Sequence, residues 1–193
     1  MHFNIYKQTL LGLILFGLFR CNAQSQFDAK VEHVSISIGG EKRVGYKTVF
    51  DFSREEVRHG WWKYAKKFGR PINMKSHYKV VVPSSETDGN VDIEIIAQTD
   101  ETPKGSIFFL GLENKEYEEQ VKKILIDFKK ELYLKGALEK IQKNQKKAKV
   151  LSKAFSSSLS REEKSTLLDK LFSVEQKIET LKIKIKAIIQ LPR

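Results

Sequence analysis

The chain has 193 residues, 40% of them apolar, and carries 35 Lys and Arg against 24 Asp and Glu, for a formal net charge of +11. That length and apolar share suit one globular domain plus an appendage, and the basic balance favours anionic partners. A single cysteine excludes a disulfide framework and a thiolate metal cluster, so folding must rest on an ordinary apolar core.

Residues 1–9 carry Lys7 and no acid, residues 10–19 form an apolar run broken only by glycines, and Cys21-Asn22-Ala23 offers small residues to a peptidase. This three-part pattern is that of a secretory signal peptide over 1–23, predicting export to the periplasm or cell exterior with cleavage after Ala23. The run is shorter than the roughly 20 apolar residues a membrane-spanning helix needs, so no such helix is expected in the mature chain. Lipoprotein anchoring at Cys21 is the rival reading, and it is disfavoured because Arg20 stands where a small residue belongs. Losing Lys7 and Arg20 lowers the formal charge from +11 to +9.

Residues 24–30 read as a disordered leader and 31–132 as an α+β domain. Val34, Ile36 and Ile38 alternate with serines, the period of a half-buried strand, and Gly39-Gly40 turns the chain into a second strand with Tyr46, Thr48, Phe50 and Phe52 inward. Ser53-Arg54-Glu55-Glu56 is a capping box opening a helix with Val57, Trp61, Tyr64, Ala65 and Phe68 on one face. Gly69 and Pro71 end it, and Trp62 falls at the border of its apolar face. Three more strands follow at 77–82, 91–98 and 107–110, separated by a polar turn at 84–90 and by Thr102-Pro103-Lys104-Gly105. The expected fold is a five-stranded antiparallel sheet covered by helices on one face, in the order ββαβββα.

The last of those helices begins near residue 116, lays Val121, Leu125, Phe128 and Leu132 on the sheet, and continues as the first arm of a projecting helical hairpin over 133–191. In the second arm Leu167, Leu171, Val174, Ile178, Leu181, Ile185 and Ile188 recur at alternating spacings of 4 and 3, a coiled-coil seam. The first arm repeats that spacing through Leu134, Leu138, Ile141, Gln145, Ala148, Ser152 and Phe155. Residues 155–159 form the turn, and Ser160-Arg161-Glu162-Glu163 reads as a second capping box. Folding there sets Leu138 and Ile141 opposite Val174 and Ile178.

Lys140, Lys143, Lys146, Lys147, Lys149 and Lys153 occur along the first arm with no acid between them. They offer a binding surface for an envelope protein, an anionic polymer or a lipid headgroup, although such runs also serve to keep a helix solvated. Nucleic acid is disfavoured by the export signal and by the lack of interleaved aromatics. Self-association through the helices is a further option, suggested by Leu168, Ile183 and Ile189 outside the seam. His59, Trp62, Tyr78 and Phe108 could together line a ligand pocket between helix and sheet, though aromatics more often fill a core. His33, His59 and His77 lie on different elements, so neither a metal site nor a cofactor is expected. Asp92 and Glu94 read as the solvated side of a strand, and no motif of nucleophile, base or phosphate loop is present. The sequence thus favours an exported, non-enzymatic protein that presents a basic hairpin, with a ligand-binding module second and an enzyme of undefined class third.

Overall fold

The computed structural model describes residues 27–83, 92–112, 117–158 and 160–191. The expected signal peptide with Cys21, the polar turn at 84–90 and Leu159 lie outside those residues. The elements are β1 (Glu32–Ile38), β2 (Glu41–Phe50), α1 (Arg54–Ala65), β3 (Arg70–Asn73), β4 (Tyr78–Val82), β5 (Ile93–Thr102), β6 (Gly105–Leu112), α2 (Glu118–Ser157) and α3 (Arg161–Gln190). The strands form one sheet ordered β1-β2-β6-β5-β4-β3, antiparallel throughout. The fold is α+β, with six strands where the sequence suggests five. The added strand is β3, where Pro71 and the preceding Gly69 read in sequence as a helix stop. Proline has no amide hydrogen to donate and is tolerated at a sheet edge. There β3 pairs with β4 alone.

The β1–β2 loop is two residues long, and Gly39 and Gly40 both take positive φ, 62 and 88°, as a tight hairpin of this hand requires. Ser53 caps α1: its hydroxyl accepts from the Glu56 amide at 3.3 Å while its own amide donates to the Glu56 carboxylate at 2.9 Å. Val57, Trp61 and Ala65, four residues apart, are wholly buried, as is Leu125 of α2, with Val121 and Phe128 nearly so. These meet Tyr46, Phe50, Val80, Ile95, Ala97, Phe108 and Leu110 from one face of the sheet. The Trp61 ring lies 5.2 Å from Phe108 and 5.3 Å from Phe128. Each such side chain contributes roughly 1.5–3 kcal/mol by leaving water.

The opposite sheet face carries a second, smaller cluster. Ile38, Ile96 and Phe109 are buried there, with Val34 and Ile36 packed against them. In a flat sheet β1 and β5 would stand about 14 Å apart across three strand spacings. Phe109 of the intervening β6 belongs to the same cluster and joins the two sides. Val34, Gly45, Gly111 and Ile96 occupy one cross-strand row, and the two central glycines leave space into which Phe109 folds. A Cβ at Gly111 would stand 2.6 Å from the Phe109 Cζ.

Residues 27–30, expected in a disordered leader, lie packed without regular structure. Phe27 is buried with its ring 5.2 Å from Tyr133, and the Thr48 hydroxyl donates to the Lys30 carbonyl at 2.8 Å.

At 40 residues and 1.5 Å each, α2 is about 60 Å long, and α3 packs back along it. The α3 seam is as predicted: Val174, Ile178 and Ile188 are buried, and Leu167, Leu171, Leu181 and Ile185 half-buried. On α2 the packed positions are Ala137, Ile141, Asn144, Ala148 and Leu151, whereas Leu138, Gln145 and Ser152 are exposed. The expected stripe is therefore rotated by one residue at alternate positions, so Ile141 meets Val174 and Ile178 but Leu138 does not. A stripe of period 3.5 drifts around a helix of period 3.6, and with small or polar residues on both candidate stripes the α3 side decides. The second capping box is half formed. Ser160 accepts from the Glu163 amide at 3.4 Å, but the Glu163 carboxylate accepts from the Ser158 hydroxyl at 2.7 Å.

Candidate functional site

Lys140, Lys143, Lys146, Lys147, Lys149 and Lys153 are all exposed on α2. Successive helical residues turn by about 100°, so the six do not share one face and instead wrap the outer circumference of the arm. Lys140 and Lys143 lie nearest the sheet domain. They border a cavity of about 470 Å³ between the β2–α1 connection, α2 and α3, together with Phe27, Asp51, Tyr133 and Ile188. The other four sit further along. Among the described residues none of the six has a carboxylate within ion-pair distance. Lys79, Lys122, Lys135 and Lys182, by contrast, pair with Glu94, Glu119, Glu139 and Glu179. Across the hairpin, α3 adds Arg161, Lys164 and Lys170 but also Glu162, Glu163 and Asp169.

The expected aromatic pocket is brought together in part. His59, Trp62 and Tyr78 line an open groove of about 410 Å³ with Glu55, Arg58 and Asn73. Trp62 and Tyr78 lie 5.6 Å apart, with the Arg58 guanidinium 5.0 Å from the Tyr78 ring and the Lys66 amine 5.2 Å from the Trp62 ring. Phe108 is elsewhere, fully buried between Phe50, Trp61 and Phe128.

The domain–hairpin junction holds the polar groups that sequence reasoning missed. The Tyr133 phenol donates to the Asp51 carboxylate and accepts from the Asp51 amide at 3.2 Å; burial first, then Asp51, pushes its pKa above the ordinary value. Lys129 is buried on α2, donating to the Thr48 hydroxyl at 2.9 Å with the Phe27 and Phe50 rings 5.7 and 5.6 Å away. Burial lowers its pKa, against the opposing pull of Asp28 and Asp51. The Ser53 hydroxyl and amide hold Glu56 below the usual carboxylate range, with Lys140 adding a smaller electrostatic effect. One signal was available in sequence: Lys129 stands four residues after Leu125 and eight after Val121, on the apolar stripe itself.

The histidines stay apart. His33 faces Glu118 at 3.8 Å, His59 lies in the groove, and His77 contacts the Ser76 hydroxyl at 3.0 Å. Among the described residues no set of three His, Cys, Asp or Glu is arranged to hold a metal, and no helix is long and apolar enough to cross a membrane. Asp92 is exposed and Glu94 pairs with Lys79 on the sheet face away from the helices.

Set beside family models, curated protein sequences and solved structures, the chain matches none of them.

Proposed function

We propose that this is an exported, non-enzymatic envelope protein whose hairpin stands clear of the sheet and offers its basic outer half to an anionic surface. The partner is an acidic protein face, an anionic polymer or a layer of lipid headgroups. The observation that carries this reading is the run of six exposed α2 lysines, none within ion-pair distance of a carboxylate among the described residues. Unpaired ammonium groups spread around a narrow rod suit a diffuse anionic partner better than a single carboxylate ligand. A ligand-binding role for the His59, Trp62 and Tyr78 groove has weaker support. It is small and open, and Arg58 and Lys66 already lie against its rings.

Replacing Lys146, Lys147, Lys149 and Lys153 with Gln tests the reading. At about 1 kcal/mol per lysine near an anionic surface, the loss is on the order of 10²- to 10³-fold in binding to vesicles rich in phosphatidylglycerol or to an acidic polymer. Comparing the two separates headgroups from polymers. Binding of the wild type should also fall steeply with salt. Unchanged binding by the variant, with its helix content intact, would sink the proposal.

A further inference from the structure

The outer surface of α3 carries a second stripe, one residue on from the buried seam. It consists of the apolar Leu168, Phe172 and Ile189 at its ends and of Glu175, Glu179, Lys182 and Lys186 between them. Spacings again alternate 4 and 3, and all seven positions are exposed. Leu168, Phe172 and Ile189 keep 55, 59 and 65% of their surface in water. Four of the seven positions are charged, so this stripe resembles the flanking positions of a coiled coil, where the order of charges sets partner and orientation, with apolar residues at either end.

The order of residues along this stripe identifies that partner. About a point midway between Thr180 and Leu181 the stripe is self-complementary. A two-fold axis there sets Glu179 against Lys182 of a second copy, Glu175 against Lys186, and Phe172 against Ile189. A parallel, in-register partner would instead set each glutamate against its own equivalent, and each lysine likewise. Near the C-terminal end of α3, Ile189 adjoins Leu134, Leu138 and Ile188 in an open groove of about 890 Å³ between the two helices, whose other lining residues, from Asp127 to Gln142 of α2, are charged or polar. Leu138 is 51% exposed there, and in this register the antiparallel copy would bring its Phe172 to the Ile189 end of the groove. Phe172 lies at the outer border of the stripe, where it also edges a groove toward Lys140 and Asn144.

We propose that a second copy of this chain packs antiparallel along the outer stripe of α3, forming a two-fold, four-helix bundle from two hairpins. The isologous geometry closes on itself and so yields a dimer, not a filament. The Glu179–Lys182 ion pair within each helix, 2.6 Å long, then becomes half of a four-charge cluster on the axis.

The test uses charge reversal in the purified chain, followed by sedimentation over a range of concentrations. The E175K/E179K variant presents four lysines and the K182E/K186E variant four glutamates. Each should associate with itself at least ~100-fold more weakly than the wild type, because like charges now face each other. Mixed in equal amounts the two should dimerise, and the fourfold variant E175K/E179K/K182E/K186E, with the palindrome inverted, should recover wild-type association. Far-UV circular dichroism verifies that the helices persist. A strictly monomeric wild type, half-reversed variants that still dimerise alone, or no rescue in the mixture and the fourfold variant would each overturn the proposal. The substituted positions exclude the six lysines of the basic arm; because the half-reversed variants move the net charge by +4 and −4, dimerisation is scored by sedimentation alone and anion binding by the Lys→Gln variant above.

Discussion

Among the described residues Lys129 is the one charged side chain buried in the core, and replacing it with Met isolates the energetics of that amine. Met keeps most of the stem packing and removes the charge. What is lost is a charge-assisted hydrogen bond to Thr48, worth about 1.5–3 kcal/mol, and contacts with the Phe27 and Phe50 rings, worth about 0.5–2 kcal/mol. What is gained is relief of burying an ammonium, several kcal/mol per ion. The lowered pKa gives the direction for the charge itself: burial outweighs the pull of Asp28 and Asp51 and disfavours the ammonium form. Lys129→Met should therefore stabilise the protein by about 1–3 kcal/mol near neutral pH. Between the folded pKa and the ordinary lysine value the unfolded chain holds the extra proton, so wild-type stability rises with pH and the advantage of Met shrinks. Tyr64, pushed up to about 12 by burial, and Tyr133, pushed higher, act the other way above about pH 10. Both proteins share those tyrosines, so they cancel in the difference. Urea unfolding of the pair from about pH 7 to about pH 10 measures it. A Met variant destabilised by ~1 kcal/mol or more, or a difference that does not change with pH, would refute the reasoning.

Ser53→Ala should cost about 1 kcal/mol at neutral pH. The lowered Glu56 pKa makes that contribution fully present above the ordinary carboxylate value and lost as pH falls through the folded one; chemical denaturation at both ends of that window checks it. Ile178→Ala should cost about 2–4 kcal/mol, with amide-exchange protection falling in α3 and the outer part of α2 while β5 and β6 stay protected. Uniform loss over the whole chain would contradict separate stability of the arm. Gly111→Ala forces a Cβ to within 2.6 Å of the Phe109 Cζ and 2.8 Å of the Val44 carbonyl oxygen. A loss of about 1–3 kcal/mol in thermal or urea unfolding is expected.

The parts of this fold that were legible in the sequence are those where one local signal had no competitor. Ser53 and Glu56 form a box whatever lies beyond them, and the α3 seam repeats apolar residues through its whole length. Ile96 and Phe109 were not legible. Each sits on an apolar run beside residues of the other face, and their burial depends on the space left by two glycines in different strands. β3 was hidden because a glycine and a proline mark both a helix end and an edge strand. Leu138 was misplaced because two stripes on α2 share Ile141 and Ala148, and only the facing helix distinguishes them. His59, Trp62 and Tyr78 converge because the register of β4 and the pitch of α1 bring them together, whereas Phe108 points into the core layer that the neighbouring Trp61 fills. The junction of Asp51, Lys129 and Tyr133 joins residues up to 82 positions apart, a separation no periodicity can bridge.

The two proposed surfaces constrain each other through geometry. The lysines belong to α2 and the self-complementary stripe to α3, so anion binding and dimerisation can coexist. Two hairpins paired antiparallel, however, point their outer ends in opposite directions, and one flat membrane cannot receive both end-on. Such a dimer would have to lie lengthwise on a surface or bridge two sites on an extended polymer. Bridging would make the second contact intramolecular and strengthen binding without any new interaction. Self-association should then enhance binding to a long acidic polymer more than to a short one, whereas binding through a single end would make chain length irrelevant. The length dependence of polymer affinity in the wild type, compared with both half-reversed variants, whose net charges move by four in opposite directions, thus connects the oligomeric state to the manner of attachment.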